Sequence, residues 1–141
     1  PIEGRHFRLE EPLSRPQPLT QPHPPILIGG GGEKKTLRLV AQYADACNLF
    51  AYDGTKPIRH KLDVLKRHCE SVGRAYETIE RTALGRLGDV TRRGGIQRTI
   101  EGCRELAQAG IQHLIVSLPE DRALPSLEIL GRDVIPEVSG F

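Results

Sequence analysis

Beyond residue 25, short apolar runs alternate with longer segments in which apolar residues recur at helical spacing. The runs at residues 26–28, 46–50, 81–87 and 113–118 predict strands, and the segments at residues 33–43, 57–72, 96–109 and 125–138 predict helices. The wholly apolar run 26–28 is typical of a strand buried on both faces. About four successive strand–helix units imply parallel strands joined by right-handed crossovers, and hence an α/β fold.

Each of the first three predicted helices carries one apolar stripe, which predicts the side that faces the core. The stripes are Leu37, Val40, Ala41 and Ala44; then Ile58, Leu62, Leu65, Cys69 and Val72; then Ile96, Ile100, Cys103 and Ala107. Gly73 and Gly110 follow the second and third helices. Because glycine adopts the left-handed conformation without steric cost, both are predicted to end their helices.

Residues 1–25 are rich in proline, glutamine, histidine and charged residues. Proline fixes φ and lacks an N–H group, so this part of the chain is predicted to be an extended loop, with a short extended piece at residues 5–10. Residues 26–141 would then form the α/β unit. The strand–helix alternation alone leaves two architectures open for that unit: a doubly wound sheet and half of a (β/α)8 barrel.

Composition and charge exclude several classes of function. A formal net charge of +2 and an aromatic content of 4% argue against nucleic-acid binding. No apolar run approaches the roughly 20 residues of a membrane span, and the start of the chain has no secretory-signal pattern. The cysteines (Cys47, Cys69 and Cys103) and the five histidines lack metal-ligand spacing. We therefore expect buried thiols in a reducing cytoplasm and no metal site.

Four consecutive glycines separate the first predicted strand from the first predicted helix. They are Gly29, Gly30, Gly31 and Gly32, and Lys34, Lys35 and Thr36 follow them. Glycine lets backbone N–H groups approach a ligand closely, and a helix N-terminus adds free N–H donors and the positive end of a dipole. The lysines and the threonine hydroxyl would add charge and a further donor. This combination predicts a site for a phosphate or a carboxylate.

Two familiar phosphate motifs do not fit this loop. Walker A requires glycine directly before the Lys-Ser/Thr pair, where Lys34 stands, and the G-x-G-x-x-G fingerprint requires glycine at position 34 or 35. The alternative to a binding site is a flexible connector without a ligand. A connector needs at most one or two glycines, because each one in an ordered segment costs about 0.5–1 kcal/mol relative to alanine.

Polar residues near the carboxyl ends of predicted strands are further candidates, because barrel enzymes keep their sites at that end. Asn48 is one, with an interior amide satisfied by hydrogen bonds as the alternative. Arg86 and Ser117 hold similar positions on the third and fourth strands. His60 and His68 fall outside the apolar stripe of their helix and are expected to be solvated.

The glycine loop and its surroundings resemble the luciferase-like superfamily of flavin and deazaflavin enzymes. The resemblance rests on Pro-Pro-Ile-Leu-Ile-Gly-Gly-Gly-Gly-Glu-Lys-Lys-Thr-Leu-Arg-Leu-Val at residues 24–40, on Tyr-Ala-Asp-Ala-Cys-Asn-Leu-Phe at 43–50 and on Ala-Gly-Ile-Gln-His-Leu-Ile-Val-Ser-Leu at 109–118. It extends over nearly the whole chain and is strongest for the branch that uses coenzyme F-420, a deazaflavin.

The resemblance implies the last four units, the C-terminal half, of a (β/α)8 barrel. A complete barrel needs about 250 residues, against 141 here. In this superfamily the glycine loop helps to hold the cofactor phosphate through backbone N–H groups, a role that carries over to residues 29–32. Catalytic and ring-stacking residues usually lie on earlier strands, so the resemblance assigns none of either kind to this chain.

The expected function is hydride transfer between coenzyme F-420, or alternatively FMN, and a small organic substrate, with the cofactor supplying the chemistry. The alternative is a non-catalytic half-barrel that binds phosphate or a partner chain. Because a half-barrel exposes sheet edges and an apolar face, we expect either self-association or a missing N-terminal half.

Overall fold

A computed structural model of the chain describes residues 1–13 and 15–141. Its strands are β1 (Ile2–Glu3), β2 (Arg8–Leu9), β3 (Leu27–Gly29), β4 (Ala46–Phe50), β5 (Glu80–Gly85) and β6 (His113–Val116). Its helices are α1 (Thr36–Tyr43), α2 (Thr55–Val72), α3 (Gly95–Gln108), α4 (Ala123–Ile129) and α5 (Ile135–Val138). Short 3-10 turns lie at Tyr76–Thr78 and Glu120–Arg122, and a π turn at Leu130–Val134 joins α4 to α5.

The main sheet is parallel and follows the chain order β3-β4-β5-β6, while β1 and β2 form a separate antiparallel pair. A doubly wound sheet reverses its strand order part-way, and this sheet has no reversal among the described strands. Successive right-handed crossovers in one direction place their helices on one side of the sheet. The structure therefore decides between the two architectures that the sequence left open, in favour of the singly wound arrangement of a barrel.

The core lies between the sheet and its helices. Alternation along the strands turns Ile28, Cys47, Leu49 and Ala83 toward the helices. The predicted stripes meet them there: the four stripe residues of α1 are fully buried, as are those of α2 except its last residue, Val72. A third cluster joins α3 to the C-terminal helices. All three cysteines are free thiols, and burial raises the pKa of Cys47.

The opposite side of the sheet has no helix of the described chain over it. We call this surface the open sheet face and define it by the side chains that alternation and register place there: Leu27, Asn48, Phe50, Leu84 and Ile115. The prediction that residues 26–28 are buried on both faces is therefore wrong. Leu27 is exposed because β3 is an edge strand with only one covered face.

The helices also differ in detail from the sequence-based expectation, and α2 and α4 each begin two residues earlier than predicted, at Thr55 and Ala123. The first helix begins at Thr36 rather than Glu33, because the Gly32 carbonyl accepts from the N–H of Leu37 and closes a wider turn. The last helical segment is interrupted by the π turn. Pro136 lacks an N–H, and its ring crowds the carbonyl four residues earlier, which the wider turn accommodates. None of the described helices has the length and apolarity needed to cross a membrane.

Candidate functional site

The glycine loop leaves β3 at the carboxyl edge of the sheet, and glycine is favoured at two of its positions, one by the backbone conformation and one by the Thr36 side chain. Gly30 has a φ of +112°, and its N–H donates to the Asn48 carbonyl over 2.9 Å. A Cβ on Gly32 would lie 2.8 Å from the Thr36 hydroxyl oxygen. A left-handed φ and a close approach each favour glycine over any other residue, so the fold itself accounts for these two positions.

Gly29 and Gly31 are not required by the fold. A Cβ on Gly29 would meet nothing within 4 Å, and one on Gly31 would make an ordinary contact of 3.6 Å with the Lys61 side chain. Both residues keep negative or extended φ values, because neither appears among the glycines of positive φ. A connector would not need glycine at these two places, whereas a ligand that touches the backbone would.

The loop also carries unused hydrogen-bond donors. Within the described chain, the backbone N–H groups of Gly31, Gly32, Glu33 and Lys34 have no hydrogen-bond partner, while that of Gly30 is committed to Asn48. They lie just before α1, whose N-terminus adds a partial positive charge. A run of free N–H groups in this setting suits an anion.

The three side chains predicted to contribute to the anion site, those of Lys34, Lys35 and Thr36, differ in their exposure to solvent. Lys34 and Lys35 are exposed and make no ion pair with the described residues, so both ammonium groups are available to a ligand. Thr36 is half-buried as the first residue of α1, with its hydroxyl packed against Gly32. Thr36 therefore fixes the loop, and Lys34 and Lys35 border it.

Three side chains of α2 hold the loop through Glu33. Lys61 Nζ lies 2.5 Å and His60 Nε2 3.2 Å from Glu33 Oε1, and His68 Nε2 lies 2.8 Å from the Glu33 backbone oxygen. We call these four residues the Glu33 clasp. The expectation that both histidines are solvated holds for His60, whose side chain is 59% exposed. It is wrong for His68, which is half-buried against the loop. The residues lie 27–35 positions apart, so sequence spacing gave no signal for their contact.

Asn48 is the sequence-predicted strand residue that lies nearest the loop. It pairs in register with Gly29, and its side-chain oxygen accepts from the Thr82 hydroxyl over 2.9 Å. Its side-chain N–H groups have no partner among the described residues, and the side chain is half-buried. Asn48 thus holds the loop through its backbone, while its amide donors remain free on the open sheet face.

Aromatic side chains that the sequence did not single out lie beyond Asn48: Phe50 is the last residue of β4, and Tyr52 follows the strand. The rings of Phe50 and Tyr52 stack with centroids 5.8 Å apart and an interplanar angle of 22°. The Arg86 guanidinium lies over the Tyr52 ring at 5.5 Å. Arg86 follows the end of β5, as expected from the sequence. Ser117, the other strand-end candidate, lies apart from this group in a cavity with Asp89 and Arg122.

No protein-family profile and no curated protein matches the sequence. Among solved structures, the chain is similar to the coenzyme F420-dependent tetrahydromethanopterin reductase of Methanopyrus kandleri, with a TM-score of 0.62 and 13% identity. The similarity covers 81% of this chain. The chain has the fold of half a (β/α)8 barrel. The half-barrel spans 51% of the reductase chain. This structural similarity confirms the fold that the sequence resemblance implied.

In the half-barrel, the Glu33 clasp makes a pH-dependent contribution to stability. The hydrogen bond from Lys61 lowers the pKa of Glu33, and the charges of Lys61 and His60 act in the same direction. A carboxyl whose pKa is lower in the folded state stabilises the protein above its unfolded-state pKa of about 4.3. That contribution is lost as the pH falls through the folded-state pKa.

We therefore expect Glu33→Gln to lower the urea midpoint of unfolding at pH 6, and the difference from wild type to shrink as the pH falls toward 3, below the unfolded-state pKa of about 4.3. Equilibrium urea unfolding across this range measures the effect. Glu101→Gln is the control, because it removes a carboxylate paired with Arg104 on the surface of α3, away from the loop. A difference that persisted unchanged at pH 3 would contradict the assignment.

Proposed function

We propose that the glycine loop binds the phosphate of a flavin-like cofactor, and that the half-barrel forms part of an oxidoreductase. One observation carries the proposal: among the described residues, four adjacent backbone N–H groups are free at the head of α1, in a loop with two more glycines than its φ angles and side-chain packing require. Lys34 and Lys35 flank these donors and would add positive charge. The residues present therefore fit a phosphate.

Coenzyme F-420 is the proposed cofactor, with FMN as the alternative. The structural neighbour is an F420-dependent reductase by name, and the sequence resembles the same branch of enzymes. When bound, the cofactor supplies hydride transfer to or from a small organic substrate. The residues of this chain hold the phosphate and orient the rest of the molecule over the carboxyl edge of the sheet, where Asn48 offers free amide donors.

A second candidate function is a non-catalytic half-barrel that binds phosphate or another chain. The open sheet face favours it, because exposed apolar surface at a sheet with two unpaired edges is typical of an interface. We propose a second copy of the chain, or a further half-barrel segment, as the partner. Free thiols at all three cysteines support a reducing, cytoplasmic compartment for either function.

The test of the phosphate loop is a fluorescence titration of the chain with coenzyme F-420 and, in parallel, with FMN. We expect Gly31→Val to weaken binding at least about tenfold, because the side chain covers the N–H groups and removes about one charge-assisted hydrogen bond. The melting temperature is expected to change little, since Gly31 has room for a Cβ. Gly140→Val is the control, because Gly140 lies outside the glycine loop and a Cβ there meets nothing within 4 Å.

The outcomes separate the two candidate functions. Saturable binding that Gly31→Val weakens and Gly140→Val leaves intact supports the cofactor loop. If neither cofactor binds and inorganic phosphate does not bind either, the loop is a connector and the interface function gains. Binding that is indifferent to Gly31→Val would place the cofactor elsewhere and contradict the proposal.

A further inference from the structure

A cavity of about 450 Å³ lies between α4 and the loops that follow β5 and β6. Val90 and Leu118 form part of its apolar wall, and both belong to the core cluster that joins α3 to the C-terminal helices. The cavity therefore lies among the helices, apart from the glycine loop and the open sheet face. Its volume is within the range of about 300–1,000 Å³ that is usual for small-molecule sites. We call it the α4 cavity.

The wall that α4 contributes carries a buried hydroxyl without a partner. Ser126 is 4% exposed, and its hydroxyl makes no hydrogen bond with the described residues. Within the described chain, Thr99 has the only side-chain oxygen that is both fully enclosed and unpartnered. The Ser126 oxygen must therefore open onto the cavity that this residue lines. A buried hydroxyl without a partner is unfavourable, so its presence here indicates that a ligand binds it.

The other polar side chains of the α4 cavity offer donors rather than acceptors. Asp89 Oδ1 accepts from the backbone N–H and the hydroxyl of Thr91, and Oδ2 accepts from Arg92 and Arg122. A carboxylate has about four lone-pair sites, so Asp89 has none left for a ligand. Arg122 uses Nε and Nη1 in its ion pairs, while its Nη2 has no partner among the described residues. The Ser117 hydroxyl, at the rim, is unpartnered as well.

The charges around the α4 cavity cancel. Asp89 and Arg122 are the two ionisable residues among those described that line it. They pair with each other, Asp89 also pairs with Arg92, and Arg122 also pairs with Asp121. Two carboxylates therefore meet two guanidinium groups, and neither sign is in excess. An ion entering this site would lose its hydration without gaining a counter-charge, whereas an uncharged ligand would not.

We propose that the α4 cavity binds a small, uncharged polyhydroxyl compound. The hydroxyls of Ser126 and Ser117 and the Nη2 group of Arg122 donate to oxygen atoms of the ligand, and the two serine oxygens also accept from its hydroxyls. Val90 and Leu118 pack against its carbon atoms. This binding is separate from the glycine loop and needs no cofactor there.

The test is an NMR titration of the isotope-labelled chain with three ligands of equal carbon number. Xylitol is the uncharged polyol, xylonate has a carboxylate at one end, and pentanol keeps a single hydroxyl. Amide chemical shifts are the readout, because polyols stabilise proteins in general by exclusion from their surface and a melting temperature would not report the site. We expect xylitol to shift the amide signals of Gly88, Ser117 and Ser126 saturably, with a dissociation constant in the millimolar range.

Ser126→Ala should weaken xylitol binding about fivefold, the usual effect of one lost hydrogen bond between uncharged groups. It should not lower the urea midpoint of unfolding, because the hydroxyl has no partner in the protein to lose. Arg122→Lys should weaken binding about tenfold, since it keeps the charge but removes the Nη2 donors. Ser139→Ala is the control, because the Ser139 hydroxyl is exposed and donates to the Pro136 carbonyl outside the cavity. Gly31→Val should leave xylitol binding unchanged.

Four other outcomes would each overturn the polyol site. Tighter binding of xylonate than of xylitol would make the cavity an anion site. Equal binding of pentanol and xylitol would make it an apolar cavity in which the hydroxyls have no role. Shifts that do not saturate, or that spread over the whole surface, would mean that no site exists. If Ser126→Ala reduced xylitol binding only together with a lower urea midpoint, the serine would be a structural residue and not a ligand contact.

Discussion

Gly95→Ala is expected to destabilise the chain by about 3 kcal/mol, the upper part of the range for overpacking a buried site. Gly95 is the buried first residue of α3. A Cβ on it would lie 2.1 Å from the Asp89 carbonyl oxygen and 2.9 Å from Val90 Cα. Both of these are backbone atoms, so no side-chain rotation relieves the clash. The helix or the loop before it has to move.

The loop before α3 has little freedom to move. The Asp89 carboxylate accepts from the hydroxyl and the backbone N–H of Thr91, and it forms ion pairs with Arg92 and Arg122. The hydrogen bonds from Thr91 lower the pKa of Asp89, and the charges of the two arginines add to the effect. Displacing Asp89 would therefore break several contacts at once.

Equilibrium urea unfolding measures the effect, and Gly102→Ala is the matched control in the same helix. A Cβ on Gly102 would meet nothing within 4 Å. In that setting alanine should stabilise the helix by about 0.5–1 kcal/mol, since it loses less backbone entropy on folding. Two glycine-to-alanine changes seven residues apart are thus expected to have opposite signs. If Gly95→Ala unfolded within 1 kcal/mol of wild type, the close approach of Asp89 would be wrong.

Elements whose structure depends mainly on residues nearby in the sequence were predictable. The bounds of β4 agree with the apolar run at residues 46–50, and Gly73 ends α2 in the left-handed conformation, with a φ of +70°. In both cases the pattern within a few residues decides the structure. The π turn before Pro136 was missed because it depends on how one proline is accommodated inside an otherwise helical pattern.

Features set by distant parts of the chain were not predictable. The burial of β3 was overestimated, because an apolar run does not reveal whether a strand lies at an edge or whether both faces are covered. The glycine loop was found from composition, but the Glu33 clasp was not. Lys61 and His68 are seven residues apart on one side of α2, yet which element that side meets depends on tertiary packing. Phe50 and Tyr52 were overlooked for the same reason.

The open sheet face leads to the second large expected effect: the isolated chain should self-associate, and a charge on that face should prevent it. Leu27, Phe50 and Ile115 are exposed there, and β3 and β6 have unpaired outer edges among the described strands. Burying apolar surface yields about 25 cal/mol per Å². A second copy placed face to face would cover both the side chains and, through its edges, the unpaired backbone groups.

Leu27→Glu should therefore weaken self-association at least tenfold, because the carboxylate would have to be desolvated in the interface without a partner. Sedimentation velocity over a range of concentrations measures the dissociation constant. Leu39→Glu is the matched control: the two leucines are 51% and 46% exposed, but Leu39 lies on the outer side of α1. If both variants behaved as wild type, the open sheet face would not bind a second copy. The same conclusion would follow if the wild-type chain stayed monomeric at about 100 μM, because interfaces of micromolar affinity are populated at that concentration. Its apolar side chains would then be left to a different half-barrel segment.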